Sequence, residues 1–444
     1  MSFTSPVFLF AFLPLTVIVY QLARSTKLKN AVWIAAGLLF YAFGDLRHLP
    51  LMLGSCLLHY GAGRYLMART KARRAVLLSC VALDLAVLAF YKVRGALPLG
   101  ISFYTFQAIS YVADTYKNPA DGTKNLREAL QYLTFFPQLT AGPFLKFSAL
   151  RPYLDRRETT WEKNAQGVRR FVCGLCKKVL LSTAAAKLAD AMFSLASIDA
   201  LGAWTGALGY CLQLYFDFSG YSDMALGLGL LFGVQLPENF RHPYCAGSVT
   251  EFWRRWHMTL SGWFRDYVYI PLGGSRKGRA RTVFNKLLVF LATGLWHGTG
   301  WTFVLWGLWH GAFCGAETLL DRNKTLKTHW YGHVYTLLVV IFGFVLFRAE
   351  SLPQALMLLR TMLSGFTPVD ACRLALRNLL TAGTVFWCLA GVLACLPLWE
   401  HAKARFDGSR WFSPALDALT IVGLLLCLMQ LASHSFQPFI YASF

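Results

Sequence analysis

Apolar stretches close to the roughly 18 to 20 residues needed to cross a hydrocarbon core recur along the whole chain, which restricts it to folds that satisfy their own backbone hydrogen bonds. The clearest are Phe3–Tyr20, Ala31–Phe43, Leu49–Leu66, Ala75–Tyr91, Val334–Phe347, Leu379–Leu398 and Ala415–Ala432. Less uniform apolar regions, about residues 98–116, 129–144, 167–196, 204–236 and 284–320, lie between them and are rich in Gly, Pro, Ser and aromatics. The pattern predicts an all-α integral membrane protein with roughly 11 spanning helices. Some of the mixed regions are expected to be re-entrant, because broken backbone at membrane depth survives only inside protein. No internal repeat, low-complexity linker or soluble domain is visible, so residues 1–444 read as a single polytopic membrane domain.

Charge agrees with that reading. Only 15% of residues are charged, where a soluble protein carries nearer a quarter. Lys and Arg outnumber Asp and Glu by 43 to 22, an excess that in a soluble protein suggests nucleic acid. Here the basic residues sit between apolar stretches, so the bilayer is the expected partner and nucleic acid is not. The first apolar stretch has no basic residue before it and no small-residue cleavage pattern after it, and reads as a retained helix. Basic clusters follow at Arg24, Lys27 and Lys29, and at Arg64, Arg69, Lys71, Arg73 and Arg74. The positive-inside rule then puts the N-terminus outside, these loops and loop 401–410 in the cytoplasm, and the C-terminus outside. The 11 cysteines are scattered through apolar segments; Cys173 and Cys176 have C-x-x-C spacing but lack the second pair of a zinc site, so no metal is expected.

A polar residue in mid-span costs about 2.5–3.5 kcal/mol if charged, so those that persist carry information. Their density peaks between about residues 210 and 311. The first cluster runs from Gln213 through Asp217, Ser219, Tyr221 and Ser222 to Asp223. Its two carboxylates could form an acid/base pair or a cation site, but the better expectation is that they hold buried backbone and Arg groups and fix a broken helix. The segment 250–267 interleaves Trp253, Trp256 and Trp263 with Arg254, Arg255 and Arg265, and predicts an amphipathic helix at the cytoplasmic interface. A basic glycine-rich loop follows from Pro271 to Arg281; it could cradle a phosphate, though topology alone demands the same residues.

The third cluster places His297 in an apolar span between Trp296 and Gly298. His257 lies at the edge of the same polar concentration, so the two imidazoles could line one channel from opposite walls. A neutral imidazole suits deprotonation of a hydroxyl, as acyl transfer from a thioester to an alcohol requires. His310 reads as structural.

These residues resemble the membrane-bound O-acyltransferases, and within them the bacterial branch typified by the alginate O-acetyltransferase membrane subunit. The resemblance is carried by residues 98–106, by 136–143 (Phe-Pro-Gln-Leu-Thr-Ala-Gly-Pro), by Asp217 through Asp223, by Glu238-Asn239-Phe240, by Glu251 through Tyr267 and by Trp296-His297-Gly298. It implies a ring of helices, with re-entrant and amphipathic segments, around a central tunnel in the bacterial inner membrane. It makes His297 the catalytic residue and His257 its upstream partner. The implied donor is a cytoplasmic thioester, acetyl-coenzyme A, with no bound cofactor. The acyl group would pass to a separate periplasmic SGNH-type transferase that modifies a polysaccharide such as alginate; peptidoglycan, cellulose and other exopolysaccharides remain open. D-alanyl transfer and a transporter or flippase are the rival readings. A polyanionic donor would be drawn to Arg254, Arg255, Arg265, Arg276, Lys277 and Arg279. Similar C-terminal motifs in these systems present a tyrosine as transient acyl carrier, which here is Tyr441 in Phe439-Ile-Tyr441-Ala-Ser-Phe444. Ala442 and Ser443 depart from the commoner form of that motif, in which a second aromatic and an amide residue stand.

Overall fold

The computed structural model describes residues 1–68 and 71–433, and Tyr441 lies outside them. Every regular element among the described residues is helical. In chain order they are α1 (Leu13–Leu22, preceded by a π-turn Phe8–Phe12), α2 (Thr26–Asp45), α3 (Leu49–Met67), α4 (Arg73–Arg94), α5 (Ile101–Lys117), α6 (Leu126–Leu133), α7 (Phe136–Leu139), α8 (Phe147–Asp155), α9 (Trp161–Cys176), α10 (Thr183–Ser194) and α11 (Ala200–Leu231). There follow α12 (Val249–Arg255), α13 (Met258–Phe264), α14 (Gly278–His297), α15 (Trp301–Leu319), α16 (Asn323–Lys327), α17 (Trp330–Arg348), α18 (Leu352–Ser364), α19 (Asp370–Leu379), α20 (Ala382–Ala394), α21 (Leu398–Phe406) and α22 (Phe412–Ala432). By length and composition α4, α17 and α22 can each cross a hydrocarbon core, and α19 with α20, bent by 83° at their break, pass the same test together. The expected span Leu379–Leu398 is thus shorter in its regular part. Leu379 belongs to the preceding helix, and Thr381 caps α20 by accepting from the Thr384 N–H at 3.2 Å.

The chain divides into two compact units. The first comprises Met1–Val172 and Tyr221–Glu238. Its centre is aromatic: Phe3, Phe8, Phe40 and Phe136 are almost wholly buried, and Trp33 stacks on Phe135 with ring centroids 4.1 Å apart. Such pairs add directional packing to plain burial. α5 is buried along most of its length, and it starts at Gly100, whose φ of 68° and contact with the Leu139 carbonyl leave no room for a side chain. Within this unit α9 and α11 touch backbone to backbone, since a Cβ on Gly227 would sit 2.6 Å from the Phe171 nitrogen. Arg170 reaches from α9 to Asp223 at 2.7 Å and to Glu238 at 2.7 Å.

The second unit comprises Cys173–Gly220 and, among the described residues, 239–433. Here Lys178 pairs with Asp217, and both side chains are almost completely shielded. These two pairings correct the expected broken helix, because α11 is continuous through both carboxylates. With a cation supplied from a neighbouring segment, neither carboxylate has to recruit backbone donors by breaking its own helix. α14 and α15 form a tight hairpin, described below. α22 is the opposite extreme, with Cys427 its one buried residue, as suits a lipid-facing helix.

Candidate active site

Both candidate histidines belong to the second unit, and different elements position them. α14 and α15 pack through small residues. A Cβ on Gly307 would strike the Phe290 carbonyl and lie 3.5 Å from the Gly294 Cα, while one on Gly294 would strike the Phe303 carbonyl. The close approach brings the last residue of α14, His297, against α15. Gly298 then leaves the helix with extended backbone, and the chain turns into Trp301. The His297 ring is 3% exposed and sits among Trp296, Phe347 and Trp306, at centroid distances of 4.8, 5.1 and 5.2 Å.

His257 is held by an interruption. The expected amphipathic helix over 250–267 is broken into α12 and α13, because His257 takes a left-handed conformation, φ 44° and ψ 52°. A non-glycine residue pays for that conformation and needs its surroundings to enforce it. The enforcement is visible. Ser248 caps α12 by accepting from the Glu251 N–H at 3.1 Å, and the buried Glu317 carboxylate of α15 accepts from the Val249 and Thr250 N–H groups at 2.7 and 2.9 Å. On the far side of the break Asn239 serves three donors with one oxygen. His257 Nδ1 lies 3.2 Å from Asn239 Oδ1, which also accepts from Thr259 N at 3.2 Å and Thr259 Oγ1 at 2.9 Å. An amide oxygen only accepts, so the proton of the neutral ring is assigned to Nδ1 and Nε2 becomes the basic nitrogen.

Trp296 links the two positions. Its ring is 4.8 Å from His297 and 6.5 Å from His257, which also meets Phe218 edge-on at 4.6 Å. Two buried imidazoles thus lie near one indole, in surroundings that are mainly aromatic apart from Asn239 and Thr259 beside His257. His310 extends the same cluster. It packs on Trp306 at 5.4 Å and Trp253 at 5.0 Å, and neither of its ring nitrogens has a hydrogen-bond partner among the described residues. Among the described residues no three His, Cys, Asp or Glu side chains come together in a way that could hold a metal.

The candidate donor-binding cations divide into two groups. Arg255 is tied to Glu251 at 2.7 Å and Arg265 to Asp266 at 2.7 Å. Arg254, Arg276 and Lys277 are exposed, the last two on the glycine-rich loop. Gly273, Gly274 and Gly278 give that loop positive φ angles, and Asn285 fixes it by donating to the Gly274 carbonyl at 2.9 Å. Asn239 and Glu317 did not stand out in the sequence as site residues. The Glu238-Asn239-Phe240 run was the only signal for the first, and a buried acid late in an apolar helix the only signal for the second.

Comparison with known proteins defines the class first. The sequence model of the membrane-bound O-acyltransferase family matches residues 117–358, and the chain belongs to that family. It is a helical membrane protein and an O-acyltransferase. Among its relatives, the probable alginate O-acetylase AlgI of Pseudomonas putida is 37% identical over 489 aligned positions that cover 100% of both chains. The peptidoglycan O-acetyltransferase of Helicobacter pylori is 35% identical over 84% of this chain and 81% of its own. The teichoic acid D-alanyltransferase of Bacillus subtilis is 28% identical over 57% and 69%.

Proposed function

We propose that this chain moves an acetyl group from cytoplasmic acetyl-coenzyme A across the bacterial inner membrane, for O-acetylation of an extracytoplasmic polysaccharide of the alginate type by a periplasmic SGNH-type partner. The observation that carries the reading is the pair His257 and His297, both near Trp296, buried and set by Asn239 and by the α14–α15 hairpin. The relatives support acetyl as the group transferred: acetyl transfer is named for those that align over most of the chain, and D-alanyl transfer for one that aligns over 57% of it.

In this proposal the whole chain acts as one multi-pass domain of about 11 crossings around a tunnel. The coenzyme stays on the cytoplasmic side, drawn to Arg254, Arg276 and Lys277, with Arg255 and Arg265 adding charge from within their ion pairs. Only the acyl end enters. His297 takes the proton of the accepting hydroxyl as its oxygen attacks the thioester carbonyl; the carbon–sulfur bond breaks and the thiolate leaves with a proton. His257 serves as the second imidazole of the site. The accepting hydroxyl is the phenol of Tyr441, whose acyl ester then passes the group to the partner protein. Few water molecules reach such an aromatic site, which suppresses thioester hydrolysis.

The test is polymer O-acetylation in cells that carry the full chain and its partner. His297→Ala is expected to lose about 10²–10⁴-fold while accumulating normally in the membrane, and Tyr441→Phe to lose acetylation to a similar degree. If His297→Ala accumulates poorly, His297→Gln, which keeps a polar side chain, provides the same readout. Retention of more than roughly a tenth of wild-type acetylation by a folded His297 variant removes the general-base role. Full activity in Tyr441→Phe sends the acyl group directly to the partner.

A further inference from the structure

Several partly or wholly buried cations of the molecule have a carboxylate partner. Lys178 has Asp217, Arg170 has Asp223 and Glu238, Arg255 has Glu251, and Arg348 has Asp190 at 3.0 Å. Others in the first unit go without one: Arg73 donates to the Thr115 and Tyr116 carbonyls instead, and Arg157 is a further case. Arg157, in the loop after α8, lays its guanidinium over the Trp33 ring at 4.9 Å and near the Tyr20 ring at 5.8 Å, and donates to Asn30 Oδ1. Its Nε and Nη1 are shielded from solvent and have no hydrogen-bond partner among the described residues. Lys29 sits over the same Tyr20 ring at 5.3 Å. Arg127, at the start of α6, is close enough for its charge to act on Arg157, and its own Nε is likewise shielded and unpartnered.

One turn along α6 from Arg127 is Gln131. Its backbone carbonyl accepts from Trp33 Nε1 at 3.0 Å, and its fully buried side-chain amide has no partner on either atom. Among the described residues no carboxylate pairs with Lys29, Arg127 or Arg157. Burial pushes the pKa of Arg157 down, Tyr20 opposes this, and the charge of Arg127 pushes it down further. Aromatic faces offset part of the cost of a shielded guanidinium, but they accept nothing from in-plane N–H groups. Two guanidinium groups with idle donors, a third cation on the same Tyr20 ring and no carboxylate paired with any of the three suit an anion, and donors on several side chains match a group with three or four acceptor oxygens better than a planar carboxylate.

We propose that Arg127, Gln131 and Arg157, with Lys29 adding charge, bind a phosphate group, carried either by an anionic phospholipid headgroup or by a soluble phosphate compound. This inference does not rest on the acyl-transfer reading. The experiment uses the full chain purified in mild detergent and has two arms. In the first, phospholipid retained through purification from phosphatidylglycerol-containing membranes is extracted and its phosphorus quantified. In the second, delipidated protein is titrated with inorganic pyrophosphate at low and high salt. A lipid source predicts about one phosphatidylglycerol retained per chain; a soluble source predicts pyrophosphate binding that weakens steeply as salt rises. In whichever arm is positive, Arg127→Gln and Arg157→Lys should each lower binding roughly tenfold, the loss expected for a charge-assisted bond to an anion. Arg127 makes no side-chain hydrogen bond or ion pair within the described protein, so its variant keeps the test usable if Arg157→Lys misfolds. Binding absent from both arms, or unchanged in Arg127→Gln, overturns the proposal.

Discussion

The segment that carries His297 and the segment that carries His257 reach the same indole by opposite means. The first is regular: a long helix ends at the histidine, and glycines on α14 and α15 let the backbones touch. Lys286 of α14 adds polar bonds to α15, to the Cys314 carbonyl at 3.1 Å and Thr318 Oγ1 at 2.6 Å, but beside His297 the glycines set the approach, and substitution of bulk is what would disturb it. The second is irregular: a helix is interrupted at a left-handed histidine and held by side-chain oxygens from Ser248, Glu317 and Asn239. The difference teaches that regular packing fixes a side chain by shape, whereas a broken backbone fixes it by satisfying the donors that the break exposes. The two regions should therefore fail differently when altered.

The largest effect expected from this contrast lies at His257 itself. With His257 as the second imidazole of the proposed site, His257→Ala should cost most of the activity, about 10²-fold or more. The measurement is polymer acetylation normalised to membrane-inserted protein. A variant with wild-type activity would mean that the strained backbone serves packing alone and that the two imidazoles are not partners.

A middle-sized effect is expected in the hairpin, where volume decides. Gly307→Ala should lower stability by about 1–3 kcal/mol, since the added Cβ meets the Phe290 carbonyl and the hairpin has to open. The control is Gly54→Ala on α3, where a Cβ meets nothing within 4 Å. There the same change should be neutral or stabilising by up to about 1 kcal/mol, through helix propensity alone. Thermal unfolding of both variants in one detergent separates the outcomes. Equal shifts in the two would show that the α14–α15 contact is not set by glycine.

How legible this was in the sequence follows from how local each signal is. His297 could be read at once, because an imidazole between a tryptophan and a glycine in an apolar span is costly to keep there without a role. Most expected spans became helices for a similar reason, as a run of apolar residues needs no distant partner to declare itself. The break at His257 could not be read: Trp253, Arg254 and Arg255 continue at helical spacing, and what stops the helix is Asn239, 18 positions upstream. The cations that let α11 run unbroken lie 39 positions from Asp217 and 53 from Asp223, and no local spacing announces them. Whether Arg254 and Arg255 bind a donor or pair with Glu251 or Asp266 is open in the sequence, because acids at such spacings can as readily face solvent; the structure pairs Arg255 with Glu251 and Arg265 with Asp266.

The smallest effect sharpens the comparison most, because it removes the fixing group and leaves the histidine in place. Asn239 Oδ1 receives His257 Nδ1, Thr259 N and Thr259 Oγ1, while the backbone carbonyl of Asn239 separately receives the Met258 N–H at 2.9 Å. Asn239→Ala deletes only the side-chain acceptor, so the stretch of chain beside α13 keeps its backbone bond. A net hydrogen bond contributes about 0.5–1.5 kcal/mol, so activity should fall roughly three- to tenfold, less than in His257→Ala. The loss should appear in kcat more than in KM, because the ring loses its orientation and its assigned tautomer while the donor surface is untouched. Asn239→Asp restores an oxygen at the same place and should recover most of the activity, whereas Asn239→Leu, similar in size, should not. If Asp is no better than Leu, the oxygen is irrelevant and the left-handed turn is held by packing, which would make the two histidine segments alike.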